Sequence, residues 1–319
     1  MNHGNVSPEI ASGLLALQER IAASNIPSSK LDESINIATW NIREFGKKQR
    51  SVAAIHYIAE ILGQFDLIGL VELRDNLKDL GRVLKILGPY WCAVYSDMIP
   101  DAGGNRERIA YLYDKRAVVF NGLAAEANQP RKKKGFEYLS ENSFWRSPYI
   151  ASFKSGSFDF VALTTHIRWG EGEEPRRLEL ERLADWIEAK RQEGNREDKD
   201  LIVMGDFNIP SKTSALFKAI TRHGLKIPTA LAGLDHGSNL EKDKRYDQIL
   251  HYAEYPENFT NKGGILDFYI DANHIKQLFT GMNKTDFTYQ LSDHLPLWMQ
   301  MNTNIESFEL EQIIQGKKD

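Results

Sequence analysis

A carboxylate and a carboxamide stand two positions apart in the segment Leu201–Ser211, which reads LIVMGDFNIPS. The four apolar residues that open the segment are typical of a strand buried on both faces. If the extended geometry persists, the side chains of Asp206 and Asn208 point to the same side. Oxygen ligands at the end of a rigid strand suit a hard divalent cation such as Mg²⁺, although a turn after a buried strand would give the same pattern.

Other apolar runs of the chain also end in polar side chains that are costly to bury without a partner. Three of these runs end in Asn41, Glu72 and His166, and the pair Asp293–His294 immediately precedes the run Leu295–Met301. Buried charges need an opposite charge or a metal. One such ending is ordinary in a folded protein. All of them together are best explained if the strand ends meet at one site.

The residue types at this predicted site indicate a reaction class. Carboxylates and amides without a Cys/His cluster favour Mg²⁺ or Mn²⁺ over a structural zinc site. Two histidines can exchange protons close to neutrality, and amide groups can donate to an oxyanion. Together these groups fit in-line attack of water on a phosphodiester. The chain has no serine in a nucleophile elbow and no glycine-rich P-loop, which argues against acyl transfer and nucleoside triphosphate binding.

Strand and helix patterns that would position these side chains interleave from Ile35 to Met301 without a change in composition, which favours one α/β domain. We therefore divide the chain into a helical extension with linker (1–33), a catalytic domain (34–302) and a polar tail (303–319). Periodicity predicts helices over Ile10–Ile21, Ser51–Leu62, Asn76–Leu87, Glu173–Glu193 and Ser214–His223. It predicts strands over Ile35–Asn41, Asp66–Glu72, Tyr90–Ser96, Arg108–Tyr113, Lys115–Asn121, Ile150–Phe153, Phe158–Thr165, Tyr246–His251, Leu266–Ile270 and Leu295–Met301, besides the strand that opens at Leu201. The basic run Arg131–Lys134 is interpreted as an exposed loop tip.

Composition limits the cellular setting. With 42% hydrophobic and 26% charged residues, the chain is able to bury a large core. The lone cysteine, Cys92, excludes an intramolecular disulfide framework, and together with the lack of a signal-peptide pattern it predicts a cytoplasmic protein. No apolar run reaches membrane-spanning length. A net charge of −4 argues against an overall positive surface, but it is compatible with a local basic groove.

The motifs of the chain resemble those of the endonuclease/exonuclease/phosphatase superfamily, and they follow in the same order. SDH combined with GDxN is the strongest part of the resemblance. WNIREFG, VELRD, RERIAYLY and FWRSPYI resemble the deoxyribonuclease-I-like branch in particular. The matched segments are IATWNIREFG (37–46), GLVELRD (69–75), NRERIAYLYD (105–114), FWRSPYIASF (144–153), THIRWG (165–170), MGDFNIPS (204–211), YDQIL (246–250) and SDHLPL (292–297).

The resemblance implies two packed mixed β-sheets flanked by helices, a four-layer α/β sandwich with the site along one edge. It implies that Glu72 is the principal ligand of Mg²⁺ (or Mn²⁺), helped by Asn41, Asp206, Asn208 and Asp293. It also implies two catalytic carboxylate–histidine pairs that flank the scissile phosphate, His166 with Glu107 and His294 with Asp247. Asp206 and Asn208 would orient the attacking water and support the phosphorane oxygens. Which histidine activates water stays open.

The expected substrate is DNA, in double-stranded form, cleaved by a monomeric endonuclease. Arg43, Arg74 and Arg146 match positions that contact the DNA backbone or minor groove in the resembling enzymes, and an arginine fork suits phosphate. The chain departs from the family near Asn105, where a groove-stacking tyrosine is replaced, and at Pro210 and Lys212 in the loop after GDFN.

Two alternatives remain open from the sequence. The same chemistry could act on RNA, a phospholipid or a small phosphoester, as the pI of about 6.1 and the replaced tyrosine suggest. A non-catalytic binding module is disfavoured, because both histidines and every matched acid are present.

Overall fold

The computed structural model describes residues 1–98, 106–129, 132–135, 137–139, 144–170, 172–193, 200–234, 237–252 and 258–316. The helices are α1 (Pro8–Ala23), α2 (Val52–Leu62), α3 (Lys78–Leu87), α4 (Glu174–Gln192), α5 (Ala215–Ile220), α6 (Thr229–Ala232), α7 (Ala272–Leu278), α8 (Lys284–Gln290) and α9 (Glu306–Ile314). The strands are β1 (Ser34–Phe45), β2 (Leu67–Leu73), β3 (Trp91–Tyr95), β4 (Arg108–Asp114), β5 (Val119–Glu126), β6 (Lys132–Lys134), β7 (Glu137–Leu139), β8 (Tyr149–Ser155), β9 (Phe158–His166), β10 (Leu201–Asp206), β11 (Asp247–Tyr252), β12 (Phe259–Ile265) and β13 (Leu297–Asn302).

Two mixed sheets face each other. The first has the strand order β12-β13-β1-β2-β4-β3, and the second has the order β11-β10-β9-β8-β5. Because strands alternate their side chains between faces, the inner faces can interdigitate into a common core. That core contains residues from both sheets, among them Ile37, Val71, Tyr111, Phe153, Phe160 and Met204. The predicted sandwich of two packed mixed sheets is confirmed.

Helices cover the outer face of each sheet and complete four layers. On the first sheet, α1, α2, α3, α7 and α8 contribute to one apolar cluster, and on the second sheet α4 and α5 contribute to another. The predicted N-terminal helix lies in this outer layer, where it buries Leu14, Leu17 and Ile21 against α2 and α7. The Ser7 side chain caps its start, because it accepts a hydrogen bond from the backbone of Ile10. Among the described residues, no helix is long and apolar enough to cross a membrane.

Parallel pairing at the centre of each sheet explains where the polar strand ends meet. β1 pairs in parallel with β2, and β9 pairs in parallel with β10. The carboxyl ends of parallel strands lie at the same edge of a sheet. Since β1 packs against β10 and β2 packs against β9, the two carboxyl edges face each other at one end of the sandwich.

Some element predictions were wrong. The strand predicted over Leu266–Ile270 does not form. The strand of this region is β12, which ends just before that segment, at Ile265. Leu266 and Phe268 are buried in the helical layer, and Asp267 between them pairs with Arg20 and Lys242, so this segment is not part of the sheet. The apolar alternation reflects helix packing here.

Two further segments differ from their predictions. The segment Lys115–Asn121 does not extend the first sheet: a turn follows β4, and β5 then joins the second sheet. In the basic run, Arg131 lies outside the described residues, while β6 pairs with β7 in a two-stranded ribbon. The tail contains the helix α9. The division into extension, domain and tail stays a prediction.

Candidate active site

An amide in the second half of β1 links carboxylates from both sheets. The Asn41 Nδ2 group donates to Oε1 of Glu72 at 2.9 Å and to Oδ2 of Asp206 at 3.1 Å. Glu72 belongs to β2 of the first sheet, and Asp206 ends β10 of the second. The other carboxylate oxygen of Glu72 accepts from the backbone N–H of Glu44 at 2.8 Å. These contacts place two acids and one amide of the predicted metal set side by side.

Left-handed backbone marks this cluster. Glu72 has φ of 64° and Asn208 has φ of 52°, a region that costs a non-glycine residue about 1 kcal/mol or more. Such strain persists only where the surrounding structure enforces it. It redirects the side chains at the strand ends, so the two-residue alternation assumed for Asp206 and Asn208 does not hold. The Asn208 amide instead turns back and donates to the carbonyl of Ile167 at 2.7 Å, while its backbone N–H donates to Oδ1 of Asp206 at 2.9 Å.

Gly205 allows β10 to approach β9 at the site. Its φ of 134° is a conformation that L side chains rarely adopt, and a Cβ atom added there would lie 2.0 Å from the carbonyl oxygen of Thr165. The close approach pairs Asp206 with His166 in the strand register. The glycine before the aspartate is therefore required by the geometry of the sheet.

We expect Gly205→Ala to lower the free energy of unfolding by about 2–4 kcal/mol, because it adds both a backbone clash and an unfavourable φ. Urea unfolding followed by circular dichroism measures this change. Gly81→Ala is the matched control: Gly81 lies on an exposed turn of α3, and its added Cβ meets no described atom within 4 Å. That control should stabilise the protein by about 0.5–1 kcal/mol. Equal stability of the two variants would contradict the role given to Gly205.

The first carboxylate–histidine pair is buried. His166 Nδ1 donates to Oε2 of Glu107 at 2.7 Å, and Arg146 donates to Oε1 of the same carboxylate at 3.0 Å. Burial alone would lower the pKa of His166, but the carboxylates of Glu107 and Asp206 together raise that pKa above its ordinary value. Burial alone would raise the pKa of Glu107, but His166 and Arg146 hold it below its ordinary value. The second ring nitrogen of His166 lies 3.6 Å from Oδ2 of Asp206.

The second pair approaches the same aspartate from the other side. His294 Nδ1 donates to Oδ2 of Asp247 at 2.7 Å, and His294 Nε2 lies 3.8 Å from Oδ2 of Asp206. Burial would lower the pKa of His294, yet the carboxylates of Asp247 and Asp206 raise it well above its ordinary value. In each pair the carboxylate fixes one ring nitrogen, which leaves Nε2 directed at the centre of the site.

The donor set fits a hard divalent cation. Among the described residues, Oδ1 of Asn41 and Oδ1 of Asp247 are buried side-chain oxygens without a hydrogen-bond partner. Leaving a buried acceptor unsatisfied costs about 1–3 kcal/mol, and a cation would remove that cost. Within the described part of the chain, Asp206, Asp247 and His294 also form a group whose ligand atoms lie within 4.8 Å of one another. Asp206 thus adjoins two oxygen-lined positions, one beside Glu72 and Asn41 and one beside Asp247.

Asp293 and Arg43 lie at the rim of the site. The Asp293 carboxylate pairs with the Arg43 guanidinium at 3.2 Å, and its side chain is partly exposed. Arg43 also donates to the hydroxyl groups of Thr288 and Tyr289 and lies 4.0 Å over the Tyr289 ring. The observed partner of the Asp293 carboxylate is therefore Arg43, and not a residue of the Glu72–Asn41–Asp206 cluster. The role of Asp293 as a metal ligand stays a prediction.

The other two arginines are buried and hold acids of the site in place. Arg74 donates to Glu44 at 3.0 Å, and Arg146 donates to Glu107. Their exposed fractions are 5% and 9%. Contact with DNA stays a prediction for both, and of the three arginines Arg43 has the most exposed side chain. Asn105, at the place of the replaced tyrosine, lies outside the described residues.

Sequence reasoning missed several residues that complete the site. Ser292 donates to the carbonyl of Asn41 at 2.6 Å and accepts from the backbone N–H of His294 at 3.0 Å, which ties the loop before β13 to the end of β1. Its place directly before the Asp293–His294 pair was the available signal. Tyr246 packs its ring 5.9 Å from that of His294. Its only signal was its position beside Asp247.

Comparison with known proteins agrees with this fold. The model of the Endonuclease/Exonuclease/phosphatase family matches residues 38–250. A deoxyribonuclease of Thioalkalivibrio sp. (strain K90mix) is 28% identical over 304 residues, which are 88% of this chain and 74% of that protein. Deoxyribonuclease-1 of Sus scrofa is 27% identical over 185 residues, which are 55% of this chain and 60% of that protein. An endonuclease/exonuclease/phosphatase structure from Bacteroides vulgatus shares the fold with a TM-score of 0.55 and 19% identity, over 84% of this chain and 98% of that one. The chain belongs to the endonuclease/exonuclease/phosphatase family.

Proposed function

We propose that this enzyme is a divalent-metal-dependent endonuclease that hydrolyses the phosphodiester backbone of DNA. The observation that carries the proposal is the convergence of two carboxylate–histidine pairs on Asp206, with Nε2 of His166 at 3.6 Å and Nε2 of His294 at 3.8 Å from one carboxylate oxygen. The similarity to curated deoxyribonucleases supports DNA as the substrate. The double-stranded substrate, the monomeric state and the cytoplasmic location stay predictions.

The arrangement suits proton transfer on both sides of a phosphate. Hydrolysis forms a bond between phosphorus and a water oxygen and breaks the bond between phosphorus and the leaving oxygen, while one proton leaves the water and one proton is added to the leaving oxygen. Each histidine offers an Nε2 atom, and the Glu107 and Asp247 carboxylates hold the rings in orientation. One ring takes the proton from water, and the other supplies a proton to the leaving oxygen.

The acids and the amide of the site would hold the cation. Glu72, Asn41, Asp206 and Asp247 present the oxygens that fit it, two of which are otherwise unsatisfied among the described residues. When bound, Mg²⁺ or Mn²⁺ would supply positive charge against the phosphate oxygens. Asn208 is the positioning residue here, because its backbone N–H fixes the Asp206 carboxylate.

The direct test is nicking of supercoiled plasmid. We expect the purified protein to convert supercoiled DNA to relaxed circles in Mg²⁺ or Mn²⁺, and we expect excess EDTA to stop the reaction. Agarose gels with defined time points measure the conversion. A protein that leaves both plasmid and single-stranded DNA intact in every divalent metal would overturn the proposed function.

A second substrate class is favoured by one specific observation. Two of the three arginines expected on DNA are buried and paired with carboxylates of this chain, and the net charge is −4. A phospholipid or a small phosphoester would need fewer contacts to phosphate than a nucleic acid strand, and RNA stays an alternative on the same chemistry. A panel of supercoiled, linear, single-stranded and abasic DNA, RNA and phospholipid, run at two salt concentrations, separates the classes, because binding to a nucleic acid backbone weakens steeply with salt.

A further inference from the structure

An exposed tryptophan lies in the loop that follows His166. Trp169 has 63% of its surface exposed, although a tryptophan side chain gains most free energy when it is covered. Its neighbour Ile167 is buried and anchors the loop. Exposed large aromatic side chains beside a site are a common feature of ligand contacts.

Two side chains contact the ring of Trp169, and each of them also contacts a residue of the candidate active site. Its ring packs edge-on against Tyr246 with centroids 5.5 Å apart, and Tyr246 in turn packs 5.9 Å from His294. The Arg176 guanidinium lies 4.9 Å over the Trp169 ring and donates to the carbonyl of Asn208 at 3.0 Å. A side chain fixed in this way loses little conformational entropy when a ligand covers it.

A second arginine–tryptophan pair involves the same loop after His166. Trp145 is 50% exposed, and the Arg168 guanidinium lies 4.4 Å over its ring. Both residues line a cleft of about 300 Å³. The next residue after Trp145 is Arg146, which donates to the Glu107 carboxylate that holds His166. Two stacked arginine–tryptophan pairs thus involve residues that closely follow His166 or directly precede Arg146.

We propose that Trp169, Tyr246 and Arg176, named here the stacking platform, bind the base of an unpaired nucleotide next to the scissile phosphate. A paired base in a duplex offers only its edge, because its faces are covered by its neighbours, whereas an unpaired base offers a face to an aromatic ring. The substrate is therefore single-stranded or locally unpaired DNA. This inference rests on the proposed function and narrows its substrate class, in place of the double-stranded substrate expected from the sequence.

Binding without cleavage gives the cleanest test. Fluorescence anisotropy in EDTA compares a dye-labelled 12-nucleotide single strand, with phosphorothioate linkages, against the duplex of the same sequence. Because stacking on an aromatic side chain contributes about 1–3 kcal/mol per base, we expect Trp169→Ala to weaken single-strand binding roughly 5- to 100-fold. We expect Trp169→Phe to keep most of the affinity for the single strand. In Trp169→Ala, we expect the fold-loss of affinity for the duplex to be at least five times smaller than the fold-loss for the single strand.

Tyr90→Ala is the matched control. Tyr90 is 49% exposed and also carries an arginine over its ring, Arg116 at 4.8 Å, but it lies at the opposite end of the first sheet, beside the end of β4. We expect this variant to bind the single strand as the wild type does. An equal loss in the control and in Trp169→Ala would overturn the stacking platform.

The outcomes separate the two proposals. Wild-type protein that nicks plasmid while Trp169→Ala binds the single strand unchanged, or loses duplex and single strand equally, overturns the stacking platform alone. Wild-type protein that cleaves neither plasmid nor an unmodified single strand in Mg²⁺ or Mn²⁺, but binds the single strand through Trp169, overturns the nuclease and supports the platform. Wild-type protein that neither cleaves nor binds any DNA overturns both.

Discussion

Replacement of His294 by alanine should lower the rate of phosphodiester hydrolysis roughly 10²- to 10⁴-fold, the usual contribution of a positioned acid–base group. His294 directs Nε2 toward Asp206, and Asp247 fixes its other nitrogen at 2.7 Å. Alanine removes both the proton carrier and the ring that Tyr246 contacts. Initial rates of plasmid nicking at saturating Mg²⁺ or Mn²⁺ measure the loss.

A matched control exists elsewhere on the chain. His223 also contacts a carboxylate at 2.7 Å, that of Asp185, but this pair lies on the surface outside the site. His223→Ala should keep wild-type activity. Added imidazole should partly restore His294→Ala and leave His223→Ala unchanged, which separates lost chemistry from lost folding. A His294→Ala protein that keeps a tenth or more of the wild-type rate would contradict the role of this histidine.

Replacement of Glu72 by glutamine should raise the metal concentration needed for half-maximal activity at least about 10-fold, since even residues behind a ligand change metal affinity about 10- to 100-fold. Glutamine keeps the size of the side chain and one acceptor oxygen, but it removes the charge. Titration of Mn²⁺ by calorimetry on the protein without DNA gives a readout independent of turnover.

A surface acid controls for loss of charge alone. Glu241 pairs with Lys284 at 2.6 Å outside the site, and Glu241→Gln should bind Mn²⁺ as the wild type does. Asp247→Asn should be measured beside it. If Glu72→Gln leaves the Mn²⁺ affinity unchanged and Asp247→Asn lowers it strongly, the principal metal position is not at Glu72. It would then be assigned to the group of Asp206, Asp247 and His294.

The meeting of strand ends was predictable because it follows from local patterns. Apolar runs that end in Asn41, Glu72, His166 and Asp206 are parallel neighbours within each sheet, so their carboxyl ends lie together. Glu107 lacks this signal, since it precedes its strand, and only the family resemblance singled it out. Periodicity cannot give distances between sheets, so the internal pairing of Arg74 and Arg146 could not be foreseen.

Other features depended on tertiary context. The edge strand β12 contains two glycines and several polar residues, which weakens any strand pattern, whereas the apolar residues after it pack against helices. The left-handed backbone at Glu72 and Asn208 is imposed by surrounding contacts, because neither residue type requires it. The exposure of Trp169 likewise depends on the folded surface, because the aromatic character of a residue predicts burial as readily as exposure.

The hydrogen bonds of Asn41 have a mechanical consequence. This amide spans from Glu72 on one sheet to Asp206 on the other, so the two halves of the site belong to separate layers. The spacing of those layers is set by side chains deep in the sandwich, such as Tyr111, Phe153 and Met204. The thickness of the core therefore sets the distance between the Glu72 and Asp206 carboxylates. A core substitution far from the site that makes the sandwich thinner or thicker would change that distance.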